Sequence, residues 1–145
     1  MPVLLSLSPP ISTSHTAYNR SSVNVNSKAT LTVFKFRNPG HLVDNVLELV
    51  LVEEYPGKPD IGYVPAYKFE MQLTGTNTKI GNIELRVGDT RHIVMYGGHI
   101  AYEVQPEYRG HRYAARGCKL LFSLARSHNM TTLWITCNPD NIASR

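Results

Sequence analysis

The sequence predicts an α/β fold of the α+β kind, in which antiparallel strands lead into one strand-helix-strand unit. Between residues 31 and 104, apolar and polar residues tend to alternate, and Gly- or Pro-containing turns interrupt the alternation. After residue 110 the apolar spacing changes to about 3.6 residues, the period of an amphipathic helix. A short apolar segment follows at residues 132–137. Because a helical crossover makes the strands on either side of it parallel, we expect a mixed sheet.

The antiparallel part contains five predicted strands separated by turns. They are expected at residues 31–36, 47–53, 67–73, 80–87 and 98–104. The third and fourth strands flank Thr-Gly-Thr-Asn-Thr at residues 74–78, which indicates a β-hairpin. Residues 41–54 are left open to a helical alternative, because their alternation is only partial. The helix of the last unit is predicted over residues 110–128, with Ala114 and Cys118 on its apolar stripe.

Length and charge limit the classes of protein. The chain has 145 residues, of which 42% are hydrophobic and 18% charged, and this suits one hydrophobic core rather than two domains. Its formal net charge of +4 comes from Lys and Arg residues spread along the chain. Proteins that bind nucleic acid cluster such residues, so we expect no nucleic acid. The charge suits a small anionic ligand equally well. Cys118 and Cys137 lack the spacing of metal ligands, which predicts free thiols, no metal and a reducing compartment.

The first 30 residues differ in composition from the rest of the chain. Ser, Thr and Asn dominate them, and the first carboxylate is Asp44. Such a segment buries little apolar surface to offset its ordering entropy, so residues 1–30 are predicted to be a disordered leader and 31–145 the folded domain. The alternative is that residues 1–30 are upstream sequence that lies outside the natural start of the protein. The opening residues lack a basic n-region and a long apolar run, which predicts a cytoplasmic protein with no membrane partner.

A basic turn connects the strand at 98–104 to the helix. It contains Pro-Glu-Tyr-Arg-Gly-His-Arg-Tyr-Ala over residues 106–114. Free backbone N–H groups, the positive end of the helix dipole and nearby guanidinium groups together favour phosphate binding. The alternative is that Arg109, Arg112 and Arg116 only face solvent.

With its flanking strands, this turn resembles the signature of the GNAT superfamily of N-acetyltransferases. That signature is a strand ending in a Val-x-Pro-like step, then Arg/Gln-x-x-Gly-x-Gly/Ala, an amphipathic helix, a strand and Asn-x-x-Ala/Ser. The resemblance covers residues 98–145 well and 31–97 in outline. It implies a GNAT-like mixed sheet and transfer of an acetyl group from acetyl-CoA to an amine. Because the family pattern continues beyond Asn-x-x-Ser, it also implies a domain that is incomplete at its C-terminus.

The resemblance assigns acetyl-CoA, as cosubstrate, to the basic turn and its flanks. The implied coenzyme-binding residues are Val104, Arg109, Gly110, His111, Arg112, Tyr113, Ala114 and Asn141. Arg112 departs from the signature, because it occupies the position of the middle glycine. Arg112 can be accommodated there if its φ is negative and its side chain points outward. A contact between Arg112 and the 3′-phosphate of the coenzyme is the alternative.

In the family reaction a neutral amine attacks the acetyl thioester directly. The resemblance implies that the pantetheine arm enters a gap between residues 100–105 and 132–137. A backbone N–H near Glu103 or Val104 is then the oxyanion donor. The alternative for each candidate carboxylate is an ordinary place on the strand surface. The candidate catalytic bases are Glu84 and Glu103, with His99 and Tyr102 behind them.

Other functions are left open. A non-catalytic acyl-CoA-binding domain, or an inactive fragment of an acetyltransferase, has the phosphate turn without a working base. A nucleic-acid-binding domain is disfavoured, because the chain has neither an aromatic stripe nor an evident recognition helix. No motif identifies the acceptor amine. A homodimer through the apolar edge of the strand at residues 132–137 is a further alternative.

Overall fold

The computed structural model describes residues 2–7 and 33–144. Its strands are β1 (Pro2–Ser6), β2 (Leu42–Val43), β3 (Leu47–Tyr55), β4 (Ala66–Leu73), β5 (Lys79–Arg86), β6 (Ile100–Val104) and β7 (Thr132–Thr136). They form one mixed sheet in the spatial order β1-β7-β6-β5-β4-β3-β2. The helix α1 (Tyr113–Ser127) packs on one face of this sheet. Short helical turns occupy Pro59–Ile61, Ile93–Gly97, Pro106–Tyr108 and Ile142–Ser144. The predicted fold class is confirmed.

Strands β3, β4, β5 and β6 form an antiparallel meander, as their alternation predicts. The register pairs Phe69 with Ile83 and Ile83 with Tyr102, so apolar side chains share the face toward α1. The helical alternative for residues 41–54 is wrong, because these residues form β2 and most of β3. A bulge between Leu51 and Glu53 makes the alternation of β3 irregular.

The hydrophobic core lies between α1 and the apolar face of the sheet. Leu121 of α1 and Leu85 of β5 are fully buried there. Gly117 lets the helix approach closely, because a β-carbon at this position would lie 3.0 Å from Ile83 Cδ1. The opposite face carries polar, partly exposed side chains such as Glu84. The sheet therefore has one closed and one open face within the described residues.

Residues 33–36 are not a strand, although a strand was predicted at 31–36. Residues 31 and 32 lie outside the described part of the chain. Aromatic side chains hold the segment instead: Phe36 packs on Tyr67 with ring centroids 5.1 Å apart, and Phe34 stacks on His128 at 5.2 Å. Arg37 N–H donates to Tyr67 Oη at 2.7 Å. The alternating pattern thus reflects an aromatic anchor and not a strand ladder.

The N-terminal residues correct the expected disordered leader. β1 pairs antiparallel with β7, from Pro2 opposite Thr136 to Ser6 opposite Thr132. Leu7 is buried in the same core as α1. Residues 8–30 of the predicted leader lie outside the described residues. Because β1 covers the free edge of β7, that edge is not the unpaired surface on which the homodimer alternative depended.

Candidate functional site

β6 and β7 are parallel neighbours, as predicted, and they separate soon after they meet. Their register contains one pair, Ile100 with Ile135. The strands are pinned just before this pair, where His99 N–H donates to Trp134 O at 2.6 Å. Gly98 permits the approach, because a β-carbon there would lie 2.9 Å from the same oxygen. A wedge-shaped gap therefore opens along the rest of β6, where the resemblance places it.

His99 maintains the pinned end of the gap. It is fully buried, and its Nδ1 accepts a hydrogen bond from Trp134 N–H at 2.9 Å. The proton of the neutral ring is therefore on Nε2, which donates to Asp89 Oδ1 at 3.0 Å. Both ring nitrogens are engaged, so the expectation that His99 is a reserve catalytic base is wrong.

The basic turn enters α1 through two residues with left-handed backbone. Gly110 has φ 86°, and Arg112, the N-cap of α1, has φ 60° and ψ 26°. The condition of a negative φ at Arg112 is therefore not met. Glycine adopts this conformation freely, whereas a residue with a β-carbon is strained in it. Because these two residues leave the helical region, α1 begins at Tyr113 and not at residue 110.

The end of β6, the basic turn, the start of α1 and residues 141–144 line a cleft of about 470 Å³, which we call the basic cleft. Besides the expected coenzyme-binding residues, its lining contains Tyr102, Glu103, Tyr108, Ala143 and Ser144. His111 lies outside the lining and packs against the Tyr113 ring, with centroids 5.5 Å apart. Seven of the eight expected coenzyme-binding residues line the cleft: Val104, Arg109, Gly110, Arg112, Tyr113, Ala114 and Asn141.

The backbone of Val104 faces the gap. Gln105 N–H donates to Ile80 O on β5 at 2.9 Å. Alternate residues of an antiparallel ladder point their N–H and C=O groups to opposite sides, so Val104 points its groups away from β5. In agreement, Val104 O accepts a hydrogen bond from Arg109 Nε at 2.9 Å. Val104 N–H is therefore directed into the gap, and Arg109 is held at its mouth.

The open face of the sheet carries a second concave region, which we call the open-face trough. Its proximal part, next to β6, has a volume of about 360 Å³. Its distal part, next to Tyr63 and His92, has a volume of about 270 Å³. Lys68 and Glu84 line both parts. Tyr102 and Glu103 line the proximal part and also the basic cleft. The trough and the cleft therefore meet at β6. The other main lining residues of the distal part are Tyr55, Tyr63, Val64, Ala66, Arg86, His92 and Ile93.

Most charged side chains of the trough have an ion-pair partner. Arg86 forms an ion pair with Glu84. Lys68 Nζ donates to Glu53 Oε2 at 2.8 Å, and this hydrogen bond raises the pKa of Lys68, so its amine stays protonated. Glu103 is exposed and has no ion-pair partner within residues 33–144. Of the two candidate bases, the fold brings Glu103 to the cleft and places Glu84 deeper in the trough.

Sequence reasoning missed the trough. Its walls come from β3, β4, β5 and β6 and from two loops around Tyr63 and His92, which are distant in sequence. Alternation along β5 could have placed Glu84 and Arg86 on one face. No local signal joins that face to Tyr63 or His92.

Within residues 2–7 and 33–144, no cluster of three or more His, Cys, Asp or Glu side chains could hold a metal ion. No helix of the same residues is long and apolar enough to cross a membrane. Cys118 and Cys137 are free thiols. Burial raises the pKa of the Cys118 thiol to about 11, so it is a poor nucleophile at neutral pH.

Comparison with known families agrees with this geometry. The family described as the acetyltransferase (GNAT) domain matches residues 46–145. The matched region contains β3 to β7, α1, the basic cleft and the open-face trough. Searches of curated proteins and of solved structures return no significant match. The chain belongs to the GNAT acetyltransferase family.

Proposed function

We propose that the chain is an N-acetyltransferase that transfers the acetyl group of acetyl-CoA to an amine by direct attack. The observation that carries this proposal is the meeting of two concave regions at β6, with Glu103 lining both. A direct transfer needs two substrates that approach one point from separate sites. The basic cleft and the open-face trough meet this requirement.

The basic cleft suits the phosphates of acetyl-CoA. Arg109 and Arg112 line it and have no ion-pair partner within residues 33–144. The first N–H groups of α1 lack intrahelical partners and belong to the same wall, which favours a bound diphosphate. Gly110 adds no side chain to obstruct it. When bound, acetyl-CoA supplies an activated acyl thioester.

The transfer forms a bond between the amine nitrogen and the acetyl carbonyl carbon and breaks the bond from that carbon to sulfur. Val104 N–H donates a hydrogen bond to the carbonyl oxygen as that oxygen gains negative charge. Glu103 accepts the proton that the attacking nitrogen loses, directly or through one water. The departing thiolate takes a proton from solvent.

Glu84 has a different role from Glu103. The Glu84 carboxylate is engaged in an ion pair with Arg86. Glu84 lies opposite Ala101, which is two residues before Glu103 on β6. We assign Glu84 to positioning the trough wall and Glu103 to proton transfer. Orientation of both substrates contributes roughly 7–11 kcal/mol, whereas a base contributes about 10²- to 10⁴-fold in rate.

The test combines calorimetric binding of acetyl-CoA with acetyl transfer to a panel of primary amines. We expect a Kd on the order of micromolar and transfer to at least one amine. Glu103→Gln should lower kcat about 100-fold and leave acetyl-CoA affinity nearly unchanged. The matched Glu84→Gln variant should lower kcat less than about tenfold.

Three results would count against parts of this proposal. Equal losses of kcat in the two variants would remove the assignment of Glu103 as base. Binding without transfer to any amine would favour a non-catalytic acyl-CoA-binding domain. Absence of acetyl-CoA binding by folded protein would reject the proposed function.

A further inference from the structure

We propose that the acceptor is a primary amine with an aromatic or apolar group about 10 Å from its nitrogen, bound lengthwise in the open-face trough. The inference rests on the proposed function, because it names the amine of the same reaction. Four features of the trough support it: its junction with the cleft, its charges, its apolar end and its length.

The nitrogen end of the acceptor belongs at the junction with the basic cleft. Glu103 lies there, is exposed, and has no ion-pair partner within residues 33–144. An arriving ammonium group therefore finds a carboxylate that is not already neutralised. Val104 N–H faces the gap from the neighbouring position on β6, so the nitrogen is held beside the point where the acyl carbon is expected.

The charges further along the trough are already engaged. Arg86 pairs with Glu84, and its Nη1 donates to Gly97 O at 2.7 Å. Lys68 donates to Glu53 at 2.8 Å. A carboxylate or phosphate on the acceptor thus meets no unpaired lysine or arginine among these lining residues, and a second ammonium meets no unpaired carboxylate beyond Glu103. Both kinds of charged tail lose hydration without full compensation.

The distal part of the trough offers apolar and aromatic surface. Ala66 and Ile93 are buried and form its base. Tyr55 and Tyr63 stand beside them, and Tyr63 is 58% exposed. A large ring that remains this exposed can gain buried area only when a ligand covers it. An aromatic or apolar group is the occupant that this end favours.

The spacing along the strands sets the length of the acceptor. Glu103 lies opposite Asn82 on β5, and Arg86, which lines the distal part, is four residues further along that strand. At about 3.3 Å per residue, the two positions are about 13 Å apart. Glu84, which also lines the distal part, is two residues or about 7 Å along the strand from Asn82. The centre of the distal part therefore lies about 10 Å from Glu103.

The test measures binding of four amines to the full chain saturated with CoA, which carries no acetyl group and therefore permits no reaction. The probes are 5-phenylpentylamine, pentylamine, spermidine and 6-aminohexanoate. We expect 5-phenylpentylamine to bind about tenfold more tightly than each of the others. Tyr63→Ser should reduce its advantage over pentylamine to about twofold. Tyr96→Ser, at a tyrosine that is 69% exposed and does not line the trough, should leave the advantage intact.

The same titration separates the two levels of the argument, because CoA is titrated before the amine. Absence of CoA binding would contradict the proposed function. Normal CoA binding with equal affinity for pentylamine and 5-phenylpentylamine, or with spermidine or 6-aminohexanoate preferred, would overturn only this inference. The comparison of the four amines on the unmodified chain tests the proposed acceptor even if Tyr63→Ser lowers stability.

Discussion

The basic cleft and the open-face trough, which share β6, differ in whether their cations have ion-pair partners. The basic cleft contains Arg109 and Arg112 without ion-pair partners among residues 33–144. The open-face trough contains Lys68 and Arg86, and each of them is already paired with a glutamate. Unpaired cations in a concave wall attract an anion from solution, whereas paired charges are largely neutral to it. The charges of the cleft therefore suit an anionic group, whereas under our proposal the trough selects by shape and apolar contact.

The largest expected effect is on the cleft side. Arg109→Glu replaces a cation at the mouth of the gap with an anion, and a charge-assisted contact contributes about 1.5–3 kcal/mol. We expect acetyl-CoA affinity to fall by about 100-fold. Arg126→Glu, at an exposed position in the last turn of α1, should change affinity less than about threefold. Calorimetry on both variants gives the comparison, and equal losses would indicate a diffuse electrostatic effect.

A smaller effect is expected at Arg112, where affinity and stability should move in opposite directions. Arg112→Gly removes a cleft cation and relieves the strain of φ 60°. We expect acetyl-CoA affinity to fall about tenfold and the free energy of unfolding to rise by up to about 1 kcal/mol. Asn129→Gly is the matched control, because Asn129, with φ 59°, is the other non-glycine residue with positive φ among the described residues.

The control should gain less stability, because asparagine tolerates this backbone better than arginine, and it should not alter affinity. Urea denaturation and calorimetry measure the two quantities. Unchanged acetyl-CoA affinity in Arg112→Gly would show that the guanidinium only faces solvent.

A still smaller effect is expected when a cation of the trough loses its partner, which should make the trough more favourable to anions. Glu84→Gln removes the carboxylate paired with Arg86, which leaves an incompletely compensated cation in the trough. Binding of 6-aminohexanoate, relative to pentylamine, should then improve about three- to fivefold. Lys68→Gln is the reverse control and should not improve it. No change in the ratio would mean that the Gly97 carbonyl alone compensates Arg86.

The smallest expected effect is a difference in salt dependence. Raising the NaCl concentration from about 0.05 to 0.5 M shortens the screening length and weakens contacts with exposed, unpaired cations. Acetyl-CoA affinity should fall several-fold over this range. The affinity of CoA-saturated protein for 5-phenylpentylamine should change less than about twofold, because that ligand depends mainly on apolar burial. Parallel losses would contradict the distinction between cleft and trough.

Much of the cleft could be predicted from the sequence, because its parts are adjacent in the chain. The strand, basic turn and helix occupy residues 98–128, and local periodicity and turn chemistry report such neighbours directly. The trough could not be predicted, since Tyr63, Lys68, Glu84 and His92 come from separate elements that only the meander brings together. His99 illustrates the same limit, because its role depends on Trp134, 35 residues away.

The sequence by itself determined the fold class, the strand-helix-strand unit and the basic turn with its coenzyme-binding candidates. The tertiary structure decided the left-handed backbone of Arg112, the pairing of β1 with β7 and the separate places of Glu84 and Glu103. The physical reason is the range of the interactions. Helix periodicity and turns depend on residues within about four positions of each other, whereas the strand edges, the pinned gap and the charge pairing depend on contacts between distant segments.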